Sequence, residues 1–207
     1  MKKVLIIFLI LSAVFASLIV FDKIAWGKWN YRITVEIETP EGVKSGSAVR
    51  QVSIFKDRLI KGFPESTSSV NIKGEAVVVD LGARGVLFAL IDWDSYYELY
   101  RAFPKPRGGE TTIEGIKYYN KTLKSGMKAE LTRDLPMMVT FTDMNDPKSV
   151  KLVYNDEVAV LNERGTAYDT KIVDNFEEIF GQGVRLKRVV IEITNDPVTK
   201  TRILEVA

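Results

Sequence analysis

The chain contains no cysteine and no histidine. The first absence excludes disulfides, a thiolate nucleophile and any zinc–sulfur site. The second excludes a Ser-His-Asp triad, a Cys-His pair, histidine-ligated zinc and imidazole acid–base work near neutral pH. Any chemistry must therefore use carboxylates, Lys, Tyr, Ser or Thr. A dominant charge of one sign is also missing. The formal net charge is +2, from 29 basic and 27 acidic residues. Lys2, Lys3, Lys23, Lys28 and Asp22 all fall in the first 29 residues, and without them 25 basic residues face 26 acidic ones, a charge of −1. A near-neutral domain of mixed sign gives no electrostatic case for nucleic acid. Neither phosphate-loop pattern, G-x-G-x-x-G or G-x-x-x-x-G-K-[ST], occurs, and there is no internal repeat or low-complexity stretch.

One long hydrophobic run is present. Val4 to Phe21 reads VLIIFLILSAVFASLIVF, 18 residues without a charge. As a helix it reaches about 27 Å, close to the thickness of a bilayer's hydrocarbon. Lys2 and Lys3 precede it and Asp22 and Lys23 close it, while Trp26, Trp29 and Tyr31 follow where an interfacial aromatic belt sits. The run predicts a membrane anchor. A cleaved signal peptide is the alternative, with Val14-Phe15-Ala16 before Ser17 as the cut. Two features disfavour it: the apolar run continues through Phe21, and it exceeds the usual length of a signal core. Basic residues lie on both sides of the run, so orientation rests on the short N-terminus, which points to a domain outside the cytoplasm.

Strands dominate the first half of the remaining 178 residues. Tyr31, Ile33, Val35 and Ile37 alternate with polar residues, the period of a strand buried on one face, and Pro40-Glu41-Gly42 breaks it. A second strand fits Ala48 to Phe55, with Val49, Val52 and Ile54 imperfectly spaced, and Lys61 to Ser69 is a polar connection. AVVVDL-GARG-VLFALI, residues 76–91, predicts a hairpin whose apolar arms are buried on both faces.

Helices punctuate the second half. Ser95-Tyr-Tyr-Glu98 and Thr111-Thr-Ile-Glu114 have the spacing of capping boxes, and Pro104 and Ser125-Gly126 mark the ends. Asp174-Asn-Phe-Glu177 opens a short third helix closed by Gly181. Strands return at 137–142, 150–154 and 185–194. Residues 155–174 look like an insertion.

Four segments carry a resemblance: TVEIETPEGVKSGSAV (34–49), GEAVVVDLGARGVLFAL (74–90), LPMMVTFTDMNDPKSVKLV (135–153) and GVRLKRVVIEITNDPVT (183–199). Together they resemble a family of uncharacterised, mostly proteobacterial proteins with an N-terminal hydrophobic segment. The resemblance covers most of the chain outside the anchor. It implies one exported domain and carries no activity, and residues 155–174 are longer here than in the family pattern.

Several constellations invite a chemical interpretation. Ser53-Ile-Phe-Lys56 and Ser125-Gly-Met-Lys128 match S-x-x-K, where one helical turn sets a lysine base beside a serine. With 11 Ser and 18 Lys in the chain, about one match arises by chance. Asp143-Met-Asn145-Asp146-Pro147 gathers oxygen ligands suited to a hard cation, but also the side chains of an Asx turn. Trp93, Tyr96, Tyr97, Tyr100 and Phe103 form an aromatic run, a platform or a core face. Gly82-Ala-Arg-Gly85 suits a hairpin rather than a phosphate. Arg185, Lys187 and Arg188 read as a solvated strand face, with anionic lipid as the lesser alternative.

The sequence thus predicts an α+β fold: a single N-terminal transmembrane helix, then a β-rich, mainly antiparallel domain with two or three short helices. Residues 1–29 form the anchor and its flank and 30–207 the soluble domain. No catalytic, cofactor-binding or metal residue and no cofactor is assigned. The expected protein is a single-pass component of the inner membrane, held through residues 4–21, with its domain in the periplasm. It is non-enzymatic and binds a protein partner in the envelope. The alternative is an anchored hydrolase or envelope-modifying enzyme using Ser-Lys or paired carboxylates.

Overall fold

The computed structural model describes residues 10, 24–57, 69–92, 94–161 and 168–200. The apolar run 4–21 lies outside the described residues except for Ile10, and so does Trp93. Among the described residues no helix is long and apolar enough to cross a membrane.

The protein is a β-rich, antiparallel, two-sheet domain with few short helices. Strands β1 (Ile24–Thr39), β2 (Gly42–Asp57) and β3 (Ser69–Lys73) join β6 (Lys128–Leu131) and β10 (Arg185–Thr194) in one sheet, in the order β3-β2-β1-β10-β6. The second sheet has the order β4-β5-β7-β8-β9, from β4 (Val77–Asp80), β5 (Val86–Ala89), β7 (Met138–Phe141), β8 (Val150–Leu161) and β9 (Tyr168–Asp174). The short helices are α1 (Glu98–Ala102), α2 (Ile113–Thr122) and α3 (Phe176–Phe180).

Period-two alternation makes β1 what it is. Its odd-numbered residues from Ala25 to Thr39 are buried and its even-numbered ones face outward or lie half-exposed. The strand starts at Ile24, seven residues before the alternation was expected to begin, so the stretch after the apolar run already belongs to the sheet. The irregular spacing of β10 has a local cause. Glu36 of β1 pairs with Arg188 and Ile37 pairs with Leu186, so Lys187 is the extra residue of a β-bulge. The bulge resets the period, which is why Leu186 and Val189 lie three apart.

The 76–91 hairpin forms as expected, with a 3₁₀ turn over Gly82–Arg84 and positive φ at Gly82 and Gly85. Its arms are not equally buried. In β5, Leu87, Phe88 and Ala89 are all buried. β4 is the edge strand of its sheet, so Val77 and Val79 are buried while Val78 is half-exposed.

Strands β3 and β6 were not expected, because each is short and polar on its outward face. Strand β8 runs past Tyr154 to Leu161 and pairs with β9, so much of 155–174 is a long hairpin. The second capping box shifts by one residue: the Thr112 hydroxyl, not that of Thr111, accepts from Gly115 N at 3.0 Å. The first does not form, for Glu98 is buried and engaged elsewhere.

The chain divides into two compact units. The smaller comprises, among the described residues, 10, 24–28, 53–57, 69–71 and 105–123, and includes α2 with Ile113, Ile116 and Tyr119 buried. The larger contains the rest of the first sheet, the whole second sheet, α1 and α3.

Candidate functional site

A buried ionic cluster lies within the larger unit. On β2 the inward face is Ala48, Arg50, Val52 and Ile54, all buried. A guanidinium thus occupies a core position and is 0% exposed. It donates through Nη1 to Glu98 Oε1 at 2.6 Å, through Nη2 to the carbonyls of Ala89 (3.1 Å) and Leu90 (3.0 Å), and through Nε to the Glu75 carbonyl at 3.4 Å. Glu98, 2% exposed, comes from the first turn of α1. Its second oxygen accepts from the Tyr31 hydroxyl at 2.7 Å. Burial, and then the charge of Glu98, push the Tyr31 phenol well above its ordinary value of 10. For Arg50, burial works against the charge, but Glu98 and Tyr31 outweigh it and its pKa is raised. A buried ion survives only when its partner and its remaining hydrogen bonds are in place, and here both conditions are met.

Beside Glu98 opens a cavity of about 180 Å³, walled by Asp92, Asp94, Arg101, Asp134 and Asp156. Each of these carboxylates has a donor on one oxygen. Asp92 Oδ1 accepts from Asp94 N and Ser95 Oγ, both at 2.9 Å. Asp156 Oδ2 accepts from Leu135 N at 2.9 Å. Arg101 Nε reaches Asp134 Oδ2 at 2.7 Å, and its guanidinium lies 5.3 Å from the centre of the Tyr97 ring. Asp94 Oδ2 accepts from Arg101 Nη2 at a long 3.5 Å, while its Oδ1 is buried with no hydrogen-bond partner. No group of three acidic side chains among the described residues could hold a metal ion.

The other constellations resolve as follows. Ser53 and Lys56 are three apart on one strand and so point to opposite faces. Ser125 lies exposed in a turn, and the Lys128 ammonium on β6 is 3.4 Å from Glu192. Neither S-x-x-K match is helical. The loop from Asp143 to Pro147 is an Asx turn: Asp143 Oδ1 accepts from Asn145 N and Asp146 Oδ1 from Lys148 N, both at 2.9 Å. Tyr100 is buried at a T-shaped 6.2 Å from Trp29, so this part of the aromatic run is core, and Tyr96 and Tyr97 are half-buried. Arg84 of the hairpin turn forks onto Glu41, at 3.1 and 2.7 Å, and donates to the Phe180 carbonyl at 2.7 Å. Arg188 forks onto Glu36, Lys187 reaches the same carboxylate at 3.2 Å, and Arg185 pairs with Glu38. The basic residues of β10 are thus matched across strands, as a solvated face should be.

These surface pairs give a pH expectation. Hydrogen bonds from Arg84 hold the Glu41 carboxyl at about 2, against an ordinary 4.5, and Arg188 lowers Glu36. Both carboxyls bind protons less readily in the folded chain. Their contribution is present above the unfolded value and is lost as pH falls from about 4.5 towards 2. In urea titrations Glu41→Gln should flatten the acid limb, and high salt should shrink the difference from the parent, since the pair is exposed. An acid limb of unchanged slope would count against this pairing.

Arg50 is hidden in the sequence because a charged residue in a strand reads as an outward one. The even-numbered series Ala48-x-Arg50-x-Val52-x-Ile54 was the available signal. Locally Glu98 reads only as a helix cap, and the four aspartates of the cavity come from three segments that nothing local connects.

No family model, no curated protein and no solved structure matches this chain.

Proposed function

We propose that this chain is a single-pass, membrane-anchored envelope protein whose domain faces the periplasm and serves as a binding or assembly module. The apolar run from Val4 to Phe21 supports the anchor, and the resemblance to exported proteobacterial proteins agrees with it. The observation that carries the non-enzymatic part is the closed state of the Arg50–Glu98–Tyr31 cluster. Its charges have the perturbed environment that often marks a catalytic site. Yet they are at most 2% exposed and are engaged by one another and by backbone carbonyls, which leaves them no free donor or lone pair of the kind a reacting group needs. Such a cluster acts as an internal brace.

One feature favours the alternative of an anchored hydrolase. The neighbouring cavity gathers several carboxylates, and Asp94 keeps one oxygen without a donor. Paired-carboxylate chemistry would be centred there.

The full chain expressed in bacterial membranes tests both readings. After carbonate washing it should stay in the membrane pellet, and an impermeant crosslinker applied to spheroplasts should trap one discrete protein adduct. The same adduct should form with Asp94→Asn. A soluble product starting near Ser17 would overturn the anchor. Hydrolytic turnover of envelope material, abolished by Asp94→Asn, would overturn the non-enzymatic reading.

A further inference from the structure

The alternation of β1 separates the aromatic residues that follow the apolar run. Trp29 and Tyr31 fall on the inward face, 7% and 0% exposed. Trp26 and Lys28 fall on the outward face, and Trp26 is 69% exposed. The Trp26 ring lies against Phe55 of β2, with centroids 4.5 Å apart and planes at 52°. Asn120 Nδ2 donates to the Trp26 carbonyl at 2.6 Å and holds this strand end in place. Around the two rings runs a groove of about 540 Å³, which Lys28, Asn71 and Asn120 also line. All of these residues belong to the smaller unit.

The covalent chain says what this groove faces. Phe21 ends the apolar run and Trp26 follows five residues later. Five residues span at most about 18 Å, and the headgroup layer is about 5–8 Å thick on each side of the bilayer. An indole tethered this close to the hydrocarbon boundary is within reach of the interface, and two thirds of it is free to enter. There the ring meets the acyl boundary while its N–H finds phosphate and ester oxygens. Lys28, two residues on and on the same face, brings an ammonium to the level of anionic headgroups.

We infer that the Trp26–Phe55 groove seats on the bilayer surface and takes phospholipid headgroups, giving the chain a second membrane attachment beside the apolar run. The inference rests on the anchor proposed for residues 4–21. The full chain is reconstituted in vesicles of phosphatidylcholine and phosphatidylglycerol whose acyl chains are brominated near the headgroup, and tryptophan emission is followed for the parent and Trp26→Phe. Both proteins carry Trp93→Phe, and Trp29 is buried, so the bromine-quenchable emission should fall at least about twofold in Trp26→Phe, and aqueous iodide should quench the parent and the variant alike. A chain that floats with the vesicles but has Trp26 quenched by iodide and not by brominated lipid overturns the docking and leaves the anchor standing. A Trp26 shielded from both quenchers means that protein covers the groove, and also overturns it. A chain that does not float with the vesicles overturns the anchor and the docking together.

Discussion

Arg50→Ala should destabilise the domain by about 3–5 kcal/mol, because it leaves the Glu98 carboxylate buried with the Tyr31 hydroxyl as its remaining side-chain donor. Glu98→Ala should do comparable damage from the other side, stranding a fully buried guanidinium. Neither loss equals the worth of the pair, since each includes the penalty of an orphaned charge. The double variant Arg50→Met/Glu98→Leu separates the two. With no charge left inside it should regain much of the loss, short of the parent, because the carbonyls of Ala89 and Leu90 lose their donor. Arg50→Lys should rank with the damaging variants, since an ammonium cannot reproduce the fork that serves a carboxylate and two carbonyls at once. Urea midpoints measure all four. An unchanged midpoint in Arg50→Ala would mean that the cluster does not brace the core.

Gly46→Ala should rank with Arg50→Ala, through a different cause. A Cβ at Gly46 would sit 1.9 Å from the Val78 carbonyl oxygen and 2.7 Å from its carbon. Gly46 lies on β2 in the first sheet and Val78 on the edge strand of the second, so this is a point of close backbone approach between the two. A crowded side chain can rotate away, but a carbonyl in a strand moves only with its strand. The expected loss is about 3 kcal/mol or more. Gly82→Ala is the control, because nothing lies within 4 Å of its added Cβ. It should lose only the ease of a positive φ, about 1 kcal/mol. Equal urea midpoints for the two variants would remove the close approach as a determinant of stability.

What was legible in the sequence follows from the range of each signal. The alternation in β1, the glycine-bounded hairpin and the closure of α3 at Gly181 are local patterns, and each formed where it was expected. The extent of β8 and the presence of β3 and β6 were not legible, since short or polar strands exist by virtue of the neighbours they pair with. The three-residue spacing of Leu186 and Val189 stands in the sequence of β10, but its cause, the bulge at Lys187, needs the β1 register to be seen.

By itself the sequence determined which chemistries are excluded, because an absent histidine or cysteine is absent in every fold. It also determined which face of β1 turns inward from Tyr31 to Ile37, because a strand's period is two whatever surrounds it; that the strand already begins at Ile24, and so sets Trp26 and Lys28 opposite Trp29 and Tyr31, was decided by the structure. Only the tertiary structure decided that Arg50 meets Glu98, 48 residues away, and that Gly46 must stay bare beneath Val78. The physical reason is common to both. A buried charge and a missing side chain are unfavourable choices on their own strand, and they make sense only against a partner that the topology of two sheets brings to them.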